Sequence, residues 1–210
     1  MYIYLCKWNR ERTSEELVRQ FLTDYVIDKN LNFSEKEILR TPIGRGPYGK
    51  PYFHGLENIH FSISHSGDYW GCVFEEVNIG FDLEDLSRRM NGNNPLTFER
   101  QKAIAKRFFT TKEYEYISTV GKASFLKIWV RKEAYLKYKG IGIASGLSRF
   151  NLIEKNRIVN QPEENIYIEE IDTEPIFIAA YCAPKKLEVE KVAYIGLEKY
   201  ERHDINGRKE

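Results

Sequence analysis

The hydrophobic pattern of the first 85 residues predicts a strand, a helix and then three further strands. Residues 2–8 are rich in β-branched and aromatic side chains, which favours a strand, and apolar side chains recur every four positions from Leu17 to Tyr25, which favours a helix. The glycine-rich stretch 42–53 predicts an irregular loop. Three closely spaced strand-like segments follow and predict an antiparallel meander. They are residues 59–66, 69–76 and 78–85.

A polar stretch of turn-forming residues, 88–95, separates this part from a second series of elements. The pattern beyond it predicts two or three helices and then four strands. The helices are residues 97–109, 110–119 and 122–140, and the strands are residues 149–160, 165–172, 175–183 and 192–200. This order predicts an α+β protein of two similar halves, residues 1–92 and 93–210, each a small antiparallel sheet packed with a long helix.

Composition and charge narrow the class of protein. Of the 210 residues 42% are hydrophobic and 14% aromatic, so the chain can bury a core. The formal net charge of +1 gives no reason to expect nucleic acid or membrane as a partner. Cys6, Cys72 and Cys182 are widely spaced among apolar residues, which predicts buried free thiols. No apolar run approaches the roughly 20 residues of a membrane span and no signal-peptide pattern is present, so we expect a cytoplasmic protein.

Three carboxylates have spacings that place them on the faces of predicted elements. Because strand side chains alternate, Asp82 and Glu84 in "IGFDLED" point to the same side. Trp129, Glu133 and Lys137 are four residues apart and share a helix face. Taken separately, these residues are consistent with an exposed strand end and with a surface helical ion pair contributing about 0.3 kcal/mol. Taken together, three carboxylates are the oxygen ligands that Mg²⁺ typically takes from a protein.

Basic and hydroxyl side chains elsewhere in the sequence are suited to binding phosphate. Lys50 lies on a glycine loop that allows close approach of a ligand, and Ser64 and His65 lie at a strand end. A hairpin end with ordinary polar residues is the alternative for that pair. Lys132 and Lys137 flank Glu133 and can screen phosphate oxygens. With the carboxylates, these residues indicate a site for a metal ion and phosphate groups.

Five motifs, in order, resemble the phosphopantetheinyl transferases of the surfactin-synthetase activating type. They are "YGKP", "HFSISHSGDYWGCVF", "IGFDLED", "KRFFTTKEY" and "IWVRKEAYLKYKGIGI", within residues 48–150. The G-x-D-x-E strand followed some fifty residues later by W-x-x-K-E-A is specific to that family. The resemblance implies a pseudo-twofold fold and an Mg²⁺-dependent transfer of 4′-phosphopantetheine from coenzyme A to a serine of an acyl or peptidyl carrier protein, releasing adenosine 3′,5′-bisphosphate.

The resemblance also implies roles for individual residues. Asp82, Glu84 and Glu133 match the ligands of Mg²⁺, and Glu133 also matches the carboxylate proposed as general base toward the carrier serine. Lys137 matches a catalytic lysine next to the pyrophosphate. The remaining matches are to coenzyme A contacts. They are Lys50, Ser64 and His65, with Arg12 and Thr13 at the start of the first helix.

The chain departs from the family between the first strand and the first helix, where only "NRE" replaces a basic segment that helps to hold the 3′-phosphate of coenzyme A. Lys7, Arg10 or Arg45 are candidates for replacing those contacts. Carrier proteins of this kind present acidic helices, so basic and apolar residues on the middle helices are candidate docking points. They are Lys112, Tyr116 and Lys122.

Two other functions use the same residues. A Mg²⁺-dependent phosphoanhydride hydrolase would pass the phosphoryl group to water, and a non-catalytic coenzyme A binding module would transfer nothing. Trp129, Phe108 and Phe109 recur in the family, but they are most simply core aromatics. Because both halves lie in one chain, we expect a monomer.

Overall fold

The computed structural model describes residues 1–87, 96–142 and 146–196. The helices are α1 (Ser14–Asp28), α2 (Glu35–Arg40), α3 (Phe98–Phe108), α4 (Thr111–Val120) and α5 (Lys122–Lys139). The strands are β1 (Tyr2–Lys7), β2 (Ile43–Arg45), β3 (Pro51–Phe53), β4 (His60–Ser66), β5 (Tyr69–Glu75), β6 (Gly80–Asp85), β7 (Ile153–Glu154), β8 (Arg157–Ile158), β9 (Tyr167–Ile171), β10 (Phe177–Ala183) and β11 (Lys191–Ile195).

Capping side chains determine where the helices begin and end. The spacing of Thr13 with Glu16 predicts a capping box, and the structure confirms that box at the start of α1. The same holds for Thr110 with Glu113 at the start of α4. Gly140 ends α5 in the left-handed conformation (φ 63°), which glycine adopts without a steric penalty.

The structure corrects the sequence prediction at three short elements. Helix α2, opened by a further capping box, was not predicted. The stretch 42–53, predicted as an irregular loop, contains the antiparallel hairpin β2–β3. The segment predicted as one strand at 149–160 is divided into β7 and β8 by Lys155 and Asn156, which both have positive φ and form a tight turn.

Two larger sheets replace the predicted meander of β4, β5 and β6. One sheet has the order β11-β1-β5-β4, and the other has the order β6-β10-β9. Strand β5 is paired on both edges, by β1 and by β4, so it offers no edge to β6. Strand β6 therefore pairs with β10, with Asp82 opposite Ala180. The meander prediction is correct for β4 and β5 and wrong for β6.

The sheets also join residues from both predicted halves. Strand β6 precedes the proposed boundary but pairs with β10, and β11, near the end of the described chain, lies parallel to β1. Neither sheet is therefore built from one predicted half alone. The predicted boundary near residue 92 lies outside the described residues, and the twofold relation between the halves stays a prediction.

Three buried clusters hold four layers together. Helix α1 packs on one face of the first sheet through aromatic residues such as Phe21 and Phe74. The other face of that sheet packs on the second sheet, where Phe81 and Leu83 are buried. The far face of the second sheet packs against α3, α4 and α5. Layers of this kind bury the apolar faces of both sheets.

Several predicted buried residues can be checked in these layers. All three cysteines are free and buried, as predicted. Phe109 is buried and Trp129 packs at the edge of the same cluster, but Phe108 is 40% exposed, so the prediction of a core residue is wrong for Phe108. Within the described ranges, no helix has the length and apolarity needed to cross a membrane.

Candidate active site

A close contact between α5 and β6 brings two of the sequence motifs together, "IGFDLED" and "IWVRKEAYLKYKGIGI". An ideal Cβ on Gly80 would lie 2.0 Å from the carbonyl oxygen of Ala134 and 2.3 Å from the backbone nitrogen of Tyr138. A side chain larger than hydrogen does not fit there, so glycine allows the helix to rest directly on the strand. This contact positions Glu133 and Lys137 of α5 close to the acidic side chains of β6.

Asp82 is bonded to side chains of both α5 and β4. Its Oδ1 accepts a hydrogen bond from the ammonium of Lys137 at 2.7 Å and another from the hydroxyl of Ser64 at 2.8 Å. Burial raises the pKa of Asp82, and the charge of Lys137 opposes that rise. Lys137 thus makes an ion pair with β6, whereas the sequence suggested a pair with Glu133 within the helix.

Glu133 lies beside this pair with one oxygen available. The residue is 7% exposed, and among the described residues its Oε1 is buried without a hydrogen-bond partner. Burial raises the pKa of Glu133 to about 7, and the nearby charge of Asp82 adds to the rise. A buried carboxylate oxygen without a partner is costly unless a proton or a cation satisfies it.

Glu84 supplies the third carboxylate and is also buried. Its Oε2 accepts a hydrogen bond from the hydroxyl of Ser66 at 2.6 Å. The charges of Asp82 and Glu84 both raise the pKa of Glu133, which indicates that the three groups interact electrostatically.

These residues fit a divalent cation by their chemistry, since all donors are oxygens and Glu133 Oε1 lacks a partner. Their arrangement is not yet a closed ligand set. Among the residues that the structure describes, no three His, Cys, Asp or Glu side chains converge as a group that could hold a metal ion. The ammonium of Lys137 lies against Asp82 and supplies the positive charge there. The assignment of Asp82, Glu84 and Glu133 as metal ligands therefore stays a prediction.

Lys50 lies close to the end of α5 but is bound by the protein itself. Its ammonium donates to Asn78 Oδ1 at 2.5 Å and to the carbonyl oxygens of Ile79 and Tyr138 at 3.1 and 3.0 Å. Burial lowers the pKa of Lys50 to about 8. In this arrangement Lys50 ties the glycine loop to β6 and α5, and its stem forms part of a cleft wall.

That cleft has a volume of about 190 Å³ and lies between the glycine loop and α5. Its lining includes basic side chains on opposite sides, Arg45 and Lys137, together with the exposed ring of Tyr48. The cleft also reaches Ser62 on β4, beside the acidic cluster. Arg45 is paired with Glu15 at 3.0 Å and Lys137 with Asp82 at 2.7 Å, so an anionic ligand in this cleft would compete with those carboxylates for the two cations.

The other predicted ligand contacts lie at the end of β4 and β1. His65 is exposed, and its ring centroid is 5.5 Å from that of Trp8. The guanidinium of Arg10 lies over the ring of Trp8, 5.6 Å from its centroid, so this edge carries one imidazole and one guanidinium. Arg12 donates a hydrogen bond to Gln20 of α1, and Thr13 is the N-cap of that helix, so both side chains already bind the first helix.

Lys132 does not belong to this site, and the prediction that it binds the ligand is wrong for the structure. Its side chain has no exposed surface and pairs with the equally buried Glu113 at 2.9 Å. The ammonium also donates to the carbonyl oxygens of Leu147 and Phe150. Neighbouring helix residues point about 100° apart, so Lys132 enters the core while Glu133 faces β6.

Sequence reasoning identified Ser64 but missed the two other serines of β4 that face β6, Ser62 and Ser66. Ser62 Oγ accepts the backbone N–H of Phe81 at 3.0 Å, and Ser66 binds Glu84. The period-two spacing of serine in "SISHS" was a signal for a shared face. No comparable sequence pattern indicated that Trp8 lies beside His65.

The candidate docking residues lie on α4 and at the start of α5. Lys112 and Tyr116 line a surface groove of about 560 Å³ between α4 and the β7–β8 hairpin. Lys122 is exposed at the start of α5. The groove contains both signs of charge, since Glu115 and Lys155 also line it.

Comparison with known proteins identifies related sequences. The family model described as the 4′-phosphopantetheinyl transferase superfamily matches residues 78–191, a range that includes all three carboxylates and Lys137. The chain is 30% identical over 186 residues to the 4′-phosphopantetheinyl transferase Sfp of Bacillus subtilis (strain 168), covering 83% of this chain and 74% of that protein. It is 29% identical over 201 residues to the 4′-phosphopantetheinyl transferase ffp of Bacillus subtilis, covering 90% and 80%. The human L-aminoadipate-semialdehyde dehydrogenase-phosphopantetheinyl transferase is 31% identical over 140 residues, covering 63% and 44%.

Proposed function

The chain belongs to the 4′-phosphopantetheinyl transferase superfamily, and from that premise we propose that it transfers 4′-phosphopantetheine from coenzyme A to a serine hydroxyl of an acyl or peptidyl carrier protein. The enzyme type follows from the family. The observation that carries the proposed site is the meeting of Asp82, Glu133 and Lys137 where α5 rests on β6, within the range that the family model matches.

Coenzyme A is proposed to bind along the cleft between the glycine loop and α5. Arg45 and Lys137 line that cleft and would contact anionic oxygens of the ligand. Lys50 would hold the loop in place through its three hydrogen bonds, and only its backbone and stem would face the ligand. Arg10 and His65 are the proposed contacts for the 3′-phosphate, because both lie against Trp8 at an exposed edge.

Asp82, Glu84 and Glu133 are proposed to hold Mg²⁺ when coenzyme A binds. The ion would polarise phosphoryl oxygens and neutralise charge on the leaving phosphate. Lys137 would release Asp82 and turn toward the pyrophosphate, since its ammonium is partly exposed and reaches the cleft. The positive charge beside Asp82 would then come from the metal ion instead of from Lys137.

Glu133 is the proposed acceptor of the serine proton. Serine is a weak nucleophile at neutral pH, and a buried carboxylate whose Oε1 has no hydrogen-bond partner among the described residues is placed to accept its proton. The bond formed joins the serine oxygen to the phosphorus that carries pantetheine. The bond broken joins that phosphorus to the bridging oxygen, and adenosine 3′,5′-bisphosphate leaves with the electron pair.

The carrier protein is proposed to approach over the helical layer. Lys112, Tyr116 and Lys122 offer positive charge and an aromatic edge to an acidic helix. We also propose that the protein acts as a monomer in the cytoplasm, where carrier proteins and coenzyme A meet.

Intact-mass spectrometry of carriers tests this function. An apo peptidyl carrier and an apo acyl carrier are each incubated with the protein, coenzyme A and Mg²⁺, with a chelator control. We expect a mass gain of one phosphopantetheine group on at least one carrier, and none with chelator. Consumption of coenzyme A without a gain would instead favour a phosphoanhydride hydrolase. Binding of coenzyme A without consumption would favour a non-catalytic module.

A further inference from the structure

The serines of β4 form a ladder of side chains against β6. Ser62, Ser64 and Ser66 alternate along the strand and therefore share one face. All three are buried, and each hydroxyl binds the neighbouring strand. Ser62 accepts from the backbone of Phe81, whereas the other two donate to the side chains of Asp82 and Glu84.

The ladder exists because β4 and β6 are edge strands of different sheets. Among the strands of the described residues, each has a backbone partner on one side only, β5 for β4 and β10 for β6. An unpaired strand edge buried inside a protein needs hydrogen-bond partners, and the Ser62 hydroxyl supplies one here by accepting the backbone N–H of Phe81. The other two hydroxyls, of Ser64 and Ser66, bond the acidic side chains of β6, so the junction of the sheets lies directly beside the candidate active site.

Ser66 is the member of this ladder that binds Glu84. Its hydroxyl donates to Glu84 Oε2 at 2.6 Å, and both residues are buried. A glutamate side chain has three rotatable bonds, and one fixed oxygen removes much of that freedom. Hydrogen bonds to a ligating carboxylate commonly determine its orientation toward a metal ion.

We propose that Ser66 is a positioning residue that orients Glu84 for the divalent cation of the transfer reaction. This inference rests on the proposed function, because it requires Glu84 to be a ligand. Ser66 touches neither coenzyme A nor the carrier in this account. It acts only through Glu84, and its loss is expected to weaken metal binding by about tenfold or more.

Binding of Mn²⁺ to the protein alone tests the proposal without relying on turnover. The free Mn²⁺ signal in electron paramagnetic resonance gives the dissociation constant for wild type and for Ser66→Ala. We expect at least about a tenfold weaker constant in Ser66→Ala, and a constant within about threefold of wild type in Ser66→Thr, which keeps the hydroxyl. In steady-state transfer assays, Ser66→Ala should need more Mg²⁺ for half-maximal rate and recover most of its kcat at saturating Mg²⁺.

Ser124→Ala is the matched control. Ser124 is also buried and also donates a 2.6 Å hydrogen bond, but to the backbone carbonyl of Gly121 at the start of α5. That variant should lose thermal stability without a change in Mn²⁺ affinity. If Ser66→Ala behaves in the same way, Ser66 is a structural residue and the proposal is wrong.

A double-mutant cycle with Glu84→Gln provides a second test. If Ser66 acts through Glu84, adding Ser66→Ala to Glu84→Gln should not weaken Mn²⁺ binding further. Fully additive losses would overturn the proposal. A wild-type protein that transfers phosphopantetheine but binds no Mn²⁺, with or without coenzyme A, would remove the metal assignment and this inference while leaving the transfer function intact.

Discussion

The buried ion pair between Lys132 and Glu113 can be tested directly. The sequence motif assigned Lys132 to ligand binding, whereas the structure gives it a role in the stability of the core. Replacing Lys132 with methionine leaves Glu113 charged in the core, with both side chains originally at 0% exposure. Breaking a buried ion pair by removing one partner typically costs about 3–5 kcal/mol. The carbonyl oxygens of Leu147 and Phe150 would also lose their donor. We therefore expect the free energy of unfolding to fall by about 3–5 kcal/mol.

Urea denaturation of metal-free protein measures this change. Lys127→Met is the control, because Lys127 lies on the same helix but forms an exposed pair with Glu170 at 3.6 Å, worth about 1 kcal/mol or less. Combining Lys132→Met with Glu113→Leu should recover part of the loss, since the uncompensated charge is removed. A Lys132→Met protein of unchanged stability with weakened coenzyme A binding would refute the reasoning and restore Lys132 as a ligand residue.

Three further perturbations follow from the site. Gly80→Ala should lower Tm by roughly 6–12 °C in a thermal melt, because overpacking of about 3 kcal/mol is expected where the Cβ meets α5; an unchanged Tm would contradict the contact. With chelator present, the pKa of Glu133 is about 7 when folded against 4.5 unfolded, so its contribution to stability is complete below pH 4.5 and is lost as the pH rises through 7. Relative to Glu133→Gln, wild type should therefore lose up to about 3 kcal/mol of unfolding free energy over that range in urea titrations, and a flat difference would exclude the raised pKa. Lys112→Glu should raise the apparent KM for an acidic carrier several-fold without changing that for coenzyme A, whereas an unchanged carrier KM would remove Lys112 from the docking surface.

The sequence was most informative where local chemistry decides the structure. Capping spacings predicted the starts of α1 and α4, and Gly140 predicted the end of α5. Alternation along β6 correctly separated Asp82 and Glu84 from the buried Phe81 and Leu83. Each of these signals depends only on residues of one helix or one strand, so it can be recognised from the sequence of that segment.

Partner choice between elements was harder to predict. Strands β5 and β6 are close in sequence, yet β6 pairs with β10. The reason is that β5 already pairs with β1 on one edge and with β4 on the other. The direction of Lys132 depends on Glu113, which lies on another helix. Lys137 binds Asp82 rather than Glu133, and this difference from the expected helical pair likewise depends on how α5 rests on Gly80.

Initial rates of holo-carrier formation in three variants test the central claim most directly. Asp82→Ala and Glu133→Gln remove two of the proposed groups, and Glu164→Gln changes an exposed carboxylate away from the cluster. The account predicts that the first two variants, folded by circular dichroism, lose at least about 100-fold in rate, while Glu164→Gln retains the wild-type rate. A near-normal rate in folded Asp82→Ala or Glu133→Gln would contradict the assignment of the active site.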